Sequence, residues 1–279
     1  MVQEKWCIVE KKVGSKDRSR QLWVQSAWRS LPVRGLHLIA ESFLQSRFVV
    51  IAAVLLAGSA VLLRAHAWGA SREDKPVPVE EEPLHKVELK NDAVTVMHLT
   101  LPPGQYTQYH VHSHDRVAIQ LSSTSTTQQD WKKKEGAANP VKPGDFAAMT
   151  LEGNSYTHRV HNVGKEPYEV LDIEFAQRPE RPSAELAGPV AAENPSARIY
   201  NWILAAGGSA PMHKHVRPYV IVSVTALNLQ MSSPDGQTAA HAVGAGDFRY
   251  VDIPLGSSLT HNLVNIGTTS GQLLEVELK

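Results

Sequence analysis

From about residue 86 onward, apolar and polar positions alternate in short runs rich in β-branched residues. Such runs at 94–97, 117–121, 168–173, 200–204, 219–224, 227–231 and 273–278 each predict a strand. Pro103-Gly104, Pro143-Gly144-Asp145, Gly153-Asn154 and Asn162-Val163-Gly164 punctuate them as turns. No long stretch with a 3.6-residue period interrupts the series, so the pattern predicts an all-β sandwich or barrel.

Within this pattern His110, His112 and His114 stand at every second position, a spacing that puts three imidazoles on one face only in a strand. Each ring carries nitrogens that need a partner once buried, so the run reads as half of a metal site. The surroundings then repeat. Gly104, His110, His112, His158 and Asn162 recur 103 positions later as Gly207, His213, His215, His261 and Asn265, and Gly144-Asp145-Phe146 recurs 102 positions later as Gly246-Asp247-Phe248. Two copies make a duplicated domain. Each is small, so the two are expected to pack together to bury enough apolar surface.

The first part of the chain breaks this pattern. Residues 1–47 are rich in Lys and Arg and are expected to stand outside the fold. The stretch 48–63 is apolar or small, uncharged, and flanked by Arg47 and Arg64; Ala65-His66-Ala67 follows as an A-x-A cleavage site. Residues 48–67 thus predict a signal peptide or a membrane anchor with its basic side in the cytoplasm, and both place the folded part outside it. Residues 68–85, with Pro76, Pro78 and Pro83 among glutamates, are expected to be a linker, as are the Pro- and Ala-rich residues 179–196. The expected domains are therefore 86–178 and 197–279, with 132–140 as a polar loop insertion in the first.

Composition narrows the function. Lys plus Arg and Asp plus Glu are 28 each, which gives no basic surplus for nucleic acid. The one cysteine, Cys7, precedes the apolar run, so disulfides and cysteine nucleophiles are excluded from the folded part. No Ser-His-Asp order, phosphate-binding loop or dinucleotide fingerprint occurs.

The pattern Gly-x5-His-x-His, followed 46 residues later by His-x3-Asn, resembles the two motifs of the cupin superfamily, in both copies. The Gly144-Asp145 and Gly246-Asp247 turns and Pro254-Leu255-Gly256 match as well, while the first copy has Leu151-Glu152-Gly153 in the last place. The resemblance implies a bicupin, two tandem antiparallel jelly-roll barrels. It also implies metal ligands at His110, His112 and His158 in the first barrel and at His213, His215 and His261 in the second. Fe, Mn, Zn, Ni or Cu would suit such a site.

One departure stands out. Cupin metal sites commonly add a Glu three or four residues after His-x-His, where this chain has Asp115 and Arg116, and Pro218 and Tyr219. Three readings follow for the first site: a three-histidine centre, a centre completed by Asp115 or His114, or a site without metal. Arg116 is expected either to orient a substrate anion or to pair outward with a surface acid, and Tyr219 to offer a hydroxyl to a ligand. Asn162 and Asn265 are expected to shape turns; Trp131 and Trp202 to pack; His98, His161 and His241 to be ordinary. The second barrel reads as the weaker catalytic site. The chain is thus expected to be a metal-dependent oxygenase, lyase or isomerase acting on a small polar or carboxylated molecule. The alternative is a non-catalytic small-molecule or carbohydrate binding module, and a homodimer is open to either.

Overall fold

A computed structural model describes residues 75–176 and 186–279. The first repeat contributes β1 (Val77–Pro78), a 3-10 turn (Val79–Glu81), β2 (His85–Lys90), β3 (Val94–Leu101), β4 (His110–His112), β5 (Arg116–Gln120), β6 (Thr124–Asp130), β7 (Asn139–Val141), β8 (Phe146–Met149), β9 (Tyr156–Asn162) and β10 (Tyr168–Phe175). The second contributes β11 (Val190–Glu193), β12 (Ala197–Leu204), β13 (Ser209–His215), β14 (Tyr219–Ser223), β15 (Leu227–Ser232), β16 (Thr238–Val243), β17 (Phe248–Val251), β18 (Leu259–Asn265) and β19 (Gly271–Leu278).

Each repeat folds into two sheets. In the first their orders are β1-β4-β9-β6-β7 and β2-β3-β10-β5-β8; in the second, β13-β18-β15-β16 and β11-β12-β19-β14-β17. Apart from the parallel β1–β4 pair, neighbours run antiparallel. The His-x-His strand pairs with the strand of the later histidine in both, with His110 opposite His158 and His213 opposite His261.

Strand alternation sends two sets of side chains opposite ways. On β10, Leu171, Ile173 and Phe175 enter a cluster shared with Leu274, Val276 and Leu278 of β19, so the two barrels join through the outer faces of their long-stranded sheets. The residues between them, Asp172 and Glu174 on β10 and Glu275 and Glu277 on β19, point into the barrels instead and are buried. The Gly-Asp turns close against the opposite barrel: Gly144 has φ +85° and a Cβ there would meet Gln272, while Gly246 has φ +82° and faces Leu121. Both barrels lie in one compact unit.

Two boundaries shift. The expected linker 68–85 supplies β1 and the 3-10 turn, and its last residue, His85, opens β2; the expected linker 179–196 contains β11, paired with β12. The missed strands are short or polar, so they carry little of the alternation that marks the others. The loop expected over 132–140 also ends in β7, which pairs with β6. The basic segment and the apolar segment 48–67 lie outside the described residues. Among the described residues no helix is long and apolar enough to cross a membrane.

Candidate metal centres

In the second barrel, His213 and His215 on β13, His261 on β18 and Glu275 on β19 bring ligand atoms within 4.8 Å of one another, all buried. The carboxylate lies 3.2 Å from His213 Nε2, 3.6 Å from His215 Nε2 and 3.5 Å from His261 Nε2. Yet these three nitrogens and Glu275 Oε1 have no partner in hydrogen-bond geometry. They converge on a shared point rather than on each other. Outward-facing atoms are tied down: His213 Nδ1 to the Pro211 carbonyl at 2.7 Å, and His215 Nδ1 to Glu277 Oε2 at 2.9 Å. The Trp202 indole N–H donates to Glu275 Oε2 at 2.7 Å, and its ring stacks on His213. Tyr219 stacks on His215 at 4.2 Å.

The electrostatics follow from burial and the two carboxylates. Burial pushes the Glu275 carboxyl up, but the adjacent imidazoles of His213 and His215 outweigh it and hold the group well below the ordinary range. Burial works against charge on His215, and Glu275 and Glu277 overcome it, raising the imidazole to about 9. His261, dominated by burial, falls to about 4.

The first barrel gathers only His110 and His112 on β4 and His158 on β9. His110 Nδ1 is held by the Gln108 carbonyl at 2.9 Å and His112 Nδ1 by Glu174 Oε1 at 2.7 Å. His112 Nε2 faces His158 Nε2 at 3.1 Å. Burial lowers His110 to about 3 and keeps His112 and His158 well below the ordinary imidazole range. Burial, with Asp172 nearby, raises Glu174 to about 8.

Two convergent histidine triads, each set between the paired sheets of a duplicated all-β barrel, decide the fold. The architecture is the one that the motifs imply, two tandem β-barrels with a histidine triad in each. No family model and no curated protein matches the chain. Solved structures similar to it include AerE from Microcystis aeruginosa (13% identity, 72% of this chain and 99% of that one, TM-score 0.48). Another is a single-residue variant of oxalate decarboxylase OxdC from Bacillus subtilis (14%, 67% and 69%, TM-score 0.44). A third is a cupin domain from Bordetella pertussis Tohama I (24%, 33% and 90%, TM-score 0.29).

The structure relocates several of the residues singled out in the sequence. Arg116, expected at a substrate anion or at the surface, is buried and paired with Asp172 inside the barrel. Asp115 does not complete the first centre; it accepts from the Leu151 amide at 2.7 Å and from Ser196 Oγ at 2.9 Å. His114 stays outside the triad, with its side chain 47% exposed and Nδ1 3.4 Å from Glu174. Tyr219 is fully buried among Glu275, Glu277 and Arg249, and burial raises its phenol far above the ordinary range.

In the second barrel a glutamate joins the histidines from another strand. Tyr219 on β14 sits beside β19, which delivers Glu275 from two residues along the paired register. The same 103-residue offset relates Asp172 to Glu275, Glu174 to Glu277 and Arg116 to Tyr219. Where barrel two has a neutral phenol and a glutamate turned to the histidines, barrel one has a cation holding a shorter acid. Two acids alternating with apolar residues in each last strand were the signal in the sequence.

Proposed function

We propose that this bicupin binds a divalent metal in each barrel and acts on a small polar molecule at the first. The observation that supports the metal most strongly is the set of orphaned atoms in the second barrel: three imidazole Nε2 atoms and a carboxylate oxygen, buried and aimed at one point. An unsatisfied buried polar atom costs about 1–3 kcal/mol, so four together would be a heavy burden without a cation. Three imidazoles and one carboxylate suit Mn or Fe as well as Zn, with oxygen favouring the harder ions.

The three-imidazole first centre leaves coordination positions for an exogenous ligand. A metal there would supply Lewis acidity or activate water or dioxygen. Around it, Glu174 and the Gln108 carbonyl fix ring orientation through Nδ1, which keeps Nε2 as the donor to the metal. Arg116 holds the Asp172 carboxylate away from the triad. The apolar segment 48–63 and the A-x-A tripeptide after it favour work outside the cytoplasm.

Metal content of the full chain, purified without added metal or chelator, tests this by mass spectrometry. The parent should hold up to two equivalents. His261→Ala should lose the share of the second barrel and His158→Ala that of the first, while Glu275→Gln should weaken the second centre by roughly 10- to 100-fold. A parent that stays metal-free after reconstitution would sink the proposal.

A further inference from the structure

A fourth buried histidine, contained in neither motif, lies against the triad of barrel one. His85 opens β2, is 5% exposed, and its ring lies 4.6 Å from that of His110 and 6.5 Å from that of His112. Its Nδ1 is held 2.7 Å from Glu82 Oε2, and the same oxygen accepts the Leu84 and His85 amides at 2.9 and 3.0 Å. Glu82 Oε1 accepts the Gln108 amide at 3.0 Å, from the residue whose carbonyl orients His110. Glu82 is itself 2% exposed, so a buried carboxylate ties this ring to the ligand strand.

His85 is not one of the convergent ligand set: among the described residues the ligand atoms that gather in the first barrel are those of His110, His112 and His158. Its ring borders that set, 4.6 Å from the ring of His110 and 6.5 Å from that of His112, with its Nδ1 turned to Glu82.

The second barrel shows what filling this place looks like. His85 pairs across the strand with Leu99; 103 residues later the same two positions hold Gly188 and Trp202. The indole occupies the space that a side chain at 188 would need, 2.5 Å from where its Cβ would stand, and pins Glu275 toward the triad. Thus barrel two exchanges a polar ring for a wall and a fourth donor. In barrel one the corresponding acid, Asp172, is engaged by Arg116, and an imidazole takes the place of the wall.

We infer that the first barrel is the ligand-taking centre and that His85 recognises its ligand. That ligand is a small oxygen donor bearing an O–H, whose proton is donated to His85 Nε2 while Nδ1 stays on Glu82. The inference rests on the proposal that the triads hold metal. It assigns closed, structural character to the second centre.

The test uses the full chain carrying His261→Ala and loaded with Co(II), so that the visible Co(II) bands report the first centre alone. Glycolate, with a hydroxyl, and acetate, without one, are titrated in turn. Glycolate should bind several-fold more tightly than acetate, and His85→Leu should lower that ratio several-fold with Co(II) content unchanged. His85→Gln, which retains an acceptor, should recover part of the preference. Should the leucine variant not fold beside a buried Glu82 charge, Glu82→Gln/His85→Leu removes that charge and gives the same readout. An unchanged ratio with Co(II) still bound overturns the role of His85 alone; failure of the His261→Ala protein to take up Co(II) overturns the metal reading of the first barrel and this inference with it.

Discussion

At the scale of single residues, the two centres differ through exchanges that compensate each other. Arg116 with Asp172 corresponds to Tyr219 with Glu275, and His85 with Leu99 to Gly188 with Trp202. The histidines were legible because their spacing has one simple structural explanation. Their partners were not, since Glu275 reaches its site through strand pairing between distant segments and His85 falls in the stretch that reads as a linker. The buried imidazoles also make the metal-free protein sensitive to pH. His110 and His261 have folded values of about 3 and about 4, below the unfolded value of 6.5, so the unfolded chain takes up their protons first. Their contribution is present above pH 6.5 and is lost as pH falls toward 4. His215, raised to about 9, contributes below 6.5 and loses that contribution as pH rises through 9. Stability of the EDTA-treated protein, measured by urea unfolding, should therefore be highest near pH 6.5, fall as the pH is lowered from there, and fall again toward pH 9. A flat profile between pH 5 and 7 would contradict this assignment of buried neutral imidazoles.

At the scale of elements, β3, β5, β10, β12, β14, β15 and β19 emerged from the hydrophobic pattern; β6, β9 and β18, each seven residues long, and the edge strands β1, β7, β11 and β16 did not. β16 (TAAHAV) has an exposed face and lies at a sheet edge, so packing imposes almost no pattern on it. The motif asparagines show how a turn is bound to the strands that present the histidines. Asn265, at the end of β18, donates to the Leu204, Ala205 and Thr269 carbonyls at 3.1, 3.1 and 2.7 Å and accepts the Gly267 amide at 3.0 Å. Asn162 does the same with Leu101, Glu166 and Gly164. Neither side chain has any exposure, so truncation leaves buried carbonyls without donors. Asn162→Ala and Asn265→Ala should each cost about 2–4 kcal/mol in urea unfolding, well above an ordinary turn substitution. A loss below about 0.5 kcal/mol would mean that water replaces the side chain readily.

At the scale of the molecule, the sheet faces turned away from the two metal centres form one shared core. Val117, Ile119, Leu171 and Ile173 from the first barrel pack in one cluster with Val220, Val222, Leu274 and Val276 from the second, all essentially inaccessible. The alternation on β10 and β19 therefore serves two ends at once, with acids for the centres on one face and the joint on the other. Separating the barrels would expose both apolar faces, at about 25 cal/mol for each Å² uncovered, and each barrel alone is small for a stable domain. The protein should accordingly unfold as one unit. Native-state hydrogen exchange can test this with a substitution in one barrel and a readout in the other. Ile119→Ala, on β5, removes about 2–5 kcal/mol of packing, and the slowest amides of β19 should lose protection by the same amount as those of β10. If protection of β19 is unchanged while that of β10 falls, the barrels open independently. The shared core would then be a docking surface between two self-sufficient domains rather than the interior of one.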